Sequence, residues 1–144
     1  MILPDVNTLV RAHREDVEDH SRFRHLVEGW IDSEHAFGIT DLVLSGFLGI
    51  VKHPRIFHTP TSMNSALEFV TAIRSQPNCL PVVPGSRHWE ICTRLCAESG
   101  VKGNLVPDAW LAALAIQSGC EWITSDRDFA RFPGLKWRHP FDAR

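Results

Sequence analysis

Residues 103–119, GNLVPDAWLAALAIQSG, together with the strand that follows them, decide the fold class of this chain. From Ala109 onward the stretch is almost wholly apolar or small, which predicts a helix at residues 108–118 that Gly119 ends and that is buried against a sheet. The next residues, 120–124 (CEWIT), form a short apolar run typical of a buried strand. Asp108 is the single carboxylate of the stretch and is predicted to stand at the start of the helix.

The rest of the chain repeats this alternation of short apolar runs and helical patterns. Strands are predicted at residues 2–4, 36–39 and 79–83, and helices from residue 6, around residues 23–31, and at 41–51, 62–74 and 88–99. Such alternation favours an α/β fold with a short-stranded, mostly parallel central sheet covered by helices on both faces. Ligands in these folds bind beyond the carboxyl ends of the strands, where Asp5 and Asp126 are placed.

The composition fits one globular domain spanning residues 1–144, because 44% of the residues are hydrophobic and 22% are charged. We expect a soluble, cytoplasmic protein. The start MILPDVNTLVRAH lacks the pattern of a secretory signal, and no uncharged run approaches the roughly 20 residues that cross a bilayer. The net charge of -2 excludes a uniformly basic surface, so any contact with nucleic acid must come from local clusters of cations.

The four cysteines are too few for a disulfide scaffold and are predicted to be mostly small buried side chains: Cys79, Cys92, Cys96 and Cys120. His88, Cys92 and Cys96 share one helical face at four-residue steps, which is compatible with a metal site. A structural zinc site needs a fourth ligand that the sequence does not obviously supply, so core packing is the preferred interpretation.

Three aspartates each have an ordinary structural interpretation. Asp108 suits a helix cap, Asp5 a turn, and Asp126 an Asx turn or a cap for the short helix that follows it. Their joint placement at one sheet edge points further, because clustered carboxylates repel one another unless a cation neutralises them. Mg²⁺, for which Mn²⁺ is the expected substitute, takes oxygen ligands and suits hydrolysis of a phosphodiester by a metal-activated water.

Three stretches carry a family resemblance: MILPDVNTLV, LVLSGFLGIVKHPRIF and VPDAWLAALAIQSGCEWITSDRDFARFPGLKW. They resemble the PIN-domain ribonucleases of the VapC toxin type, in particular the mycobacterial branch. The resemblance implies a PIN-like three-layer α/β/α fold in which Asp5, Asp108 and Asp126 are catalytic metal ligands. It also implies a Mg²⁺-dependent endoribonuclease, the toxin of a type II toxin-antitoxin pair, that inhibits translation or growth by cutting RNA.

The same resemblance implies partners. They are a VapB-type antitoxin, whose C-terminal segment wraps the nuclease and blocks the pocket, and a second copy of the toxin in a homodimer. The expected substrate is structured RNA, such as a tRNA or rRNA loop, because selective RNases read a loop's shape and unstacked bases. Hydrolysis is expected to leave a 5′ phosphate and a 3′ hydroxyl. No membrane partner is expected.

One position departs from the family pattern. Many PIN nucleases carry a Glu in the central helix, near Leu44, Ser45 and Gly46 of this chain, and no carboxylate stands there. Asp41, about one turn earlier, is either a substitute metal ligand or the N-cap of that helix. The missing Glu also leaves a second class of function open, a catalytically impaired PIN-fold module that acts by binding RNA or an antitoxin.

Polar residues near the aspartates are predicted to support the metal ligands from an outer layer: Asn7, Thr124, Ser125 and Asp128. For Asn7 the alternative is a cap of the first helix. RNA phosphates are predicted to bind cations that border the motifs, with the densest cluster ranked first: Lys52, His53 and Arg55, then Arg11 and Arg14, with Arg127 and Arg131 also nearby.

Overall fold

Short strands alternate with helices throughout the computed structural model, which describes residues 1–142. Two 3₁₀ helices, Gly103–Leu105 and Arg127–Arg131, lie on either side of the last long helix and the strand that follows it. The strands and α-helices, in chain order, are β1 Ile2–Pro4, α1 Val6–His13, α2 His20–Asp32, β2 Phe37–Ile39, α3 Asp41–Val51, α4 Met63–Arg74, β3 Cys79–Pro81, α5 His88–Ser99, α6 Val106–Ser118, β4 Glu121–Ile123 and β5 Trp137–Arg138.

All strand pairs are parallel. β4 pairs with β1 on one side and with β5 on the other, and β2 pairs with β3. β2 also lies against β1 at Gly38, where a methyl group would stand 3.3 Å from the side chain of Leu3 and 3.4 Å from the carbonyl oxygen of Ile2. β1 therefore lies between β4 and β2, and the predicted α/β fold with short parallel strands is confirmed.

The helices pack in two groups. α1 packs on α2 and α3, and α3 on α4, whereas α5 packs on α6. α6 brings small side chains against the strands, and five of its residues have no exposed surface: Ala109, Ala112, Ala113, Leu114 and Ala115. Within residues 1–142, no helix is both long and apolar enough to span a bilayer.

One helix starts at a residue other than the one predicted, and two expected helix caps are not observed. α6 begins at Val106, with Leu105 as its N-cap and Pro107 in its first turn, where the missing N–H of proline costs nothing. Asp108 is the third residue of the helix, so the prediction that it caps α6 was wrong. α3 begins at Asp41 with Thr40 as its N-cap, so the capping interpretation of Asp41 was also wrong.

The cysteines behave as small core residues. Cys79, Cys92 and Cys120 are buried, Cys96 is half-buried, and all four are free thiols. The imidazole ring of His88 already has a hydrogen-bond partner, since its Nε2 donates to the carbonyl oxygen of Trp110 at 2.9 Å. Core packing, the preferred interpretation of these side chains, is confirmed for the buried ones.

Candidate metal centre

Asp5 stands at the carboxyl end of β1 and is buried, with 5% of its surface exposed. Its N–H donates to the carbonyl oxygen of Ile123 (2.8 Å), which ties it to the end of β4. Its Oδ1 accepts the N–H of Val6 (2.7 Å) and thereby caps α1. The capping role considered for Asn7 is thus wrong, because the residue that caps the first helix is Asp5.

Thr124 follows β4 as Asp5 follows β1, and it is fully buried. Its hydroxyl donates to Oδ2 of Asp5 (2.6 Å). The hydroxyl oxygen of Thr124 also accepts the backbone N–H of Asp126 (3.1 Å) and the side-chain amide of Asn7 (3.3 Å). One hydroxyl therefore links the carboxylate of Asp5 to the backbone that carries Asp126.

Asn7 makes a second connection between the two strand ends. Its amide nitrogen donates to Oδ2 of Asp5 (3.3 Å), and its Oδ1 accepts the N–H of Ser125 (3.3 Å). It also accepts the hydroxyl of Thr8 (3.4 Å), a buried residue that no sequence pattern singled out. The hydroxyl of Ser125 is buried and makes no hydrogen bond within residues 1–142.

Asp126 precedes the 3₁₀ helix Arg127–Arg131 and caps it, because its Oδ1 accepts the N–H of Asp128 (2.9 Å). The cap interpretation of Asp126 is confirmed, and one carboxylate oxygen remains for another partner. Asp128 itself is exposed, and its carboxylate lies 3.9 Å from the guanidinium of Arg131. Within residues 1–142, Asp128 gives the site one hydrogen bond, and it comes from its backbone N–H.

Asp108 reaches the same region from the first turn of α6 and is half-buried. In the described part of the chain, its carboxylate accepts no hydrogen bond. The position of the residue is held by its helix, because most of α6 is buried. A carboxylate held by its helix and left without donors retains both oxygens for a ligand.

The electrostatics link the three aspartates, which we call the carboxylate cluster. Burial raises the pKa of Asp5 to about 6, hydrogen bonds from Thr124 and Val6 oppose the rise, and the charges of Asp108 and Asp126 add to it. Burial and then Asp126 raise the pKa of Asp108, while Arg131 lowers it and Asp128 raises it. The charged groups that act on Asp5 are both acidic, so within residues 1–142 this buried carboxylate lacks a neutralising cation.

The carboxylate cluster fits an open magnesium site better than a closed one. Within residues 1–142, no group of three His, Cys, Asp or Glu side chains is arranged so that all three could hold a metal ion directly. Mg²⁺ commonly binds through one or two carboxylates and keeps several waters, whereas a structural zinc site requires four protein ligands. The all-oxygen donors and the uncompensated negative charge fit a hydrated Mg²⁺.

Asp41 lies outside this cluster. It is exposed at the start of α3, and its Oδ1 accepts a hydrogen bond from Nε of Arg74 (3.1 Å). It is not among the charges that shift the pKa of Asp5 or Asp108. The structure thus gives Asp41 a basic partner of its own.

The predicted RNA-binding cations separate into two places. Arg131 acts electrostatically on Asp108, and Arg127, four residues earlier, pairs with Asp142. The densest cluster, Lys52, His53 and Arg55, follows the C-terminal end of α3, whose 11 residues span about 16 Å. Ile50, two residues before Lys52, lines a groove with Asn7, which bonds Asp5, so the expectation that this cluster lies beside the motif segments stays a prediction.

Arg14 and Arg11 differ in their surroundings. The guanidinium of Arg14 pairs with Asp16, donates to the carbonyl oxygen of Thr59 (2.8 Å) and lies 4.1 Å from the ring centroid of Phe57. Its donors are thus engaged inside the protein, which argues against the predicted RNA contact. Arg11 is half-exposed on α1, with its guanidinium 5.4 Å from the ring centroid of Phe23.

Comparison with known proteins places this geometry in a family. Residues 2–135 match the family model described as PIN domain. Ribonuclease VapC43 of Mycobacterium tuberculosis is 40% identical over 144 residues, which are all of this chain and 98% of that protein. Ribonuclease VapC25 of the same organism is 38% identical over 140 residues, covering 97% of this chain and 99% of that protein.

Solved structures share the fold at much lower sequence identity. VapBC2 from Rickettsia felis, bound to a DNA fragment from its promoter, superposes with a TM-score of 0.64 at 17% identity, covering 96% of this chain and 98% of that chain. FitAcB from Neisseria gonorrhoeae gives a TM-score of 0.66 at 13% identity, covering 99% of this chain and 100% of that chain. The chain therefore belongs to the PIN-domain family, among the VapC ribonucleases.

Proposed function

We propose that this protein is a Mg²⁺-dependent endoribonuclease that acts as the toxin of a toxin-antitoxin pair. The observation that carries the proposal is the burial of Asp5 beside Asp108 and Asp126 without a basic partner. Three carboxylates that lie together, one of them buried, favour the binding of a divalent cation. Because ribonucleases resemble this chain over its whole length, we infer that the cation serves RNA cleavage.

Within this proposal, Asp5, Asp108 and Asp126 together would hold a hydrated ion, which keeps several of its waters between itself and the carboxylates. Bound Mg²⁺ supplies a Lewis acid for the scissile phosphate and for the attacking water. Thr124 and Asn7 orient the carboxylate of Asp5, since both donate to its Oδ2. Arg131, beside Asp108, contributes positive charge for the RNA backbone at the rim. Asp41 is assigned no ligand role, because Arg74 already binds it.

The test is cleavage of a structured RNA with Mg²⁺ or with a chelator. We expect cleavage that requires Mg²⁺ or Mn²⁺, 5′-phosphate ends on the products, and loss of activity in Asp108→Asn. This variant keeps the size of the side chain and removes no hydrogen bond within residues 1–142, so the fold is expected to persist. Asp32→Asn, at the exposed end of α2, is the matched control.

A metal-binding measurement separates catalysis from binding. Mg²⁺ should raise the melting temperature of the wild-type protein but not that of Asp108→Asn. If Mg²⁺ binds but RNA stays intact, the alternative of a catalytically impaired binding module gains support, and the absence of a carboxylate at residues 42–51 of α3 would be its explanation. If the Asn variant cuts RNA at the wild-type rate, the carboxylate cluster is not the active site.

We also propose an antitoxin partner, since the structural neighbours include VapBC2 and a toxin-antitoxin complex from Klebsiella pneumoniae. A groove of about 290 Å³ between α1, α2 and α4 offers an apolar floor of Val27, Ile31, Phe69 and Ile73. Such a floor suits the apolar face of an amphipathic antitoxin segment. Inhibition of cleavage by the purified antitoxin, relieved by Ile31→Glu in the toxin, tests this site.

We also propose a homodimer, and the molar mass of the protein in solution tests it directly.

A further inference from the structure

The segment that connects α3 to α4 contains basic residues and no acidic residue. No Asp or Glu occurs between Asp41 and Glu68. We call residues 52–58, KHPRIFH, the basic loop; it contains Lys52 and Arg55 together with two histidines.

Ion pairing distinguishes these two cations from most arginines of the molecule. In the part of the chain that the structure describes, seven arginines each lie within 4.0 Å of an acidic side chain: Arg14, Arg22, Arg24, Arg74, Arg127, Arg131 and Arg138. Lys52 and Arg55 make no such pair within residues 1–142. Glu15 and Asp16 line a groove together with Thr59 and Thr61, just after the loop, and Asp16 pairs there with Arg14. The basic loop therefore presents net positive charge to solvent.

A surface groove connects the basic loop to the carboxylate cluster. α3 runs beside α1, since a methyl group at Gly46 would stand 3.5 Å from Cγ2 of Val6. The groove between the two helices, of about 260 Å³, is lined by Asn7 and Arg11 of α1 and by Ile50 of α3, with Glu18 as its acidic lining residue. Asn7 bonds Asp5, and Ile50 lies two residues before Lys52, so the groove joins the two sites.

We propose that the basic loop is a second contact site for the phosphate backbone of the RNA that the carboxylate cluster cleaves. The inference rests on the proposed ribonuclease function. α3 passes Val6 at Gly46 and rises about 9 Å from there to Lys52, farther than one phosphate group reaches. An RNA that reaches both must extend along the groove past Arg11, or present the stem that flanks its cleaved loop. The basic loop thus selects structured or longer RNA over short fragments.

A buried side chain and two hydrogen bonds hold the basic loop in place, which makes it a suitable contact surface. The side chain of Phe57 is buried beneath it, and the N–H of Thr61 donates to the carbonyl oxygen of Val51 (2.9 Å). The N–H of Arg55 donates to Nδ1 of His53 (3.1 Å). Neither bond uses the side chain of Lys52 or Arg55, so replacing those two side chains leaves the shape of the loop in place.

The test compares Lys52→Ala/Arg55→Ala with the wild type on two RNAs, a stem-loop and a short unstructured oligonucleotide that fills the carboxylate cluster alone. The matched control is Arg87→Ala/Arg94→Ala, which removes two exposed cations, also without an ion pair in residues 1–142, from the start and the body of α5. We expect kcat/KM on the stem-loop to fall about tenfold in the loop variant only. The slope of log Kd against log salt should become shallower by about two.

Binding to the stem-loop in an Asp108→Asn background completes the test. Equal stem-loop affinity and kcat/KM in the wild type and the loop variant would overturn the inference, as would an equal loss in the α5 control. Equal losses on both RNAs would place Lys52 and Arg55 at the cleavage site and also overturn it. If the wild type cuts neither RNA, the ribonuclease proposal fails, and the binding measurement still decides whether the basic loop contacts RNA.

Discussion

Asp5 and Asp41 each stand where a helix follows a buried strand, yet their surroundings are opposite. Asp5 comes directly after β1, whereas Thr40 comes directly after β2 and Asp41 one residue later. The three residues directly after β1, β2 and β4, namely Asp5, Thr40 and Thr124, are all buried. Asp41 is exposed and bound by Arg74. A shift of one residue past the strand end therefore moves a carboxylate from the interior of the site to solvent.

The largest expected effect is on cleavage. Asp5→Asn should lower the rate about a thousandfold or more, because a metal ligand contributes several kcal/mol of charge stabilisation. Asp41→Asn should stay within about threefold of the wild type, since it removes only one partner of an exposed ion pair. Initial rates on one RNA at saturating Mg²⁺ measure both. Comparable losses in the two variants would show that Asp5 and Asp41 do not differ in their role, and Asp41 would again be a candidate metal ligand.

The next effect is on stability and its dependence on pH. The folded pKa of Asp5, about 6, lies above its ordinary value of 3.8, so the folded protein keeps a proton that the unfolded chain releases. Through this residue, the free energy of unfolding without metal should be greatest below pH 3.8 and decline by about 3 kcal/mol from there to above pH 7. Urea titrations in chelator should show this decline in the wild type and in Asp41→Asn.

Asp5→Asn is the variant in which that decline should disappear. Its stability at pH 8 should exceed that of the wild type in chelator, and added Mg²⁺ should reverse the order, because only the carboxylate binds the ion. A decline of the same size in Asp5→Asn would assign the pH dependence to other groups.

A smaller effect compares the two buried threonines. Thr124→Val removes a hydroxyl that donates to Asp5 and accepts the N–H of Asp126, which should cost about 1–3 kcal/mol at pH 8. Thr40→Val is the control, because the hydroxyl of Thr40 makes no hydrogen bond in the described residues and caps nothing. That variant should lie within about 0.5 kcal/mol of the wild type by chemical denaturation. Similar losses in both would show that burial alone, not the link to Asp5, makes these residues important.

The smallest effect concerns the partner of Asp41. Arg74→Ala breaks an exposed ion pair and should change the free energy of unfolding by less than about 1 kcal/mol, with the difference shrinking in high salt. Cleavage should be unchanged. A rise in cleavage or in Mg²⁺ affinity would mean that freeing Asp41 lets it act on the metal.

The sequence predicted β1, the place of Asp5 at its carboxyl end, and α1. It did so because an apolar run, a proline and helical spacing occur within a few residues of one another. It misplaced the start of α6 because Val106 and Pro107 resemble a loop, although proline is tolerated in a first helical turn. The pairing of Asp41 with Arg74 joins residues 33 apart, and no local pattern encodes it. The site of the basic loop depends on the direction of α3 from the sheet edge, which only the assembled fold defines.

The hydroxyl of Thr124 has a mechanical consequence. It carries one proton, which it gives to Asp5, and its oxygen receives two N–H groups, so it has no freedom to rotate. A movement of the Asp5 side chain pulls on the same atom that holds the backbone of Asp126. The two carboxylates are thus coupled in position as well as in charge, and an ion that displaces one must displace the strand end that carries the other.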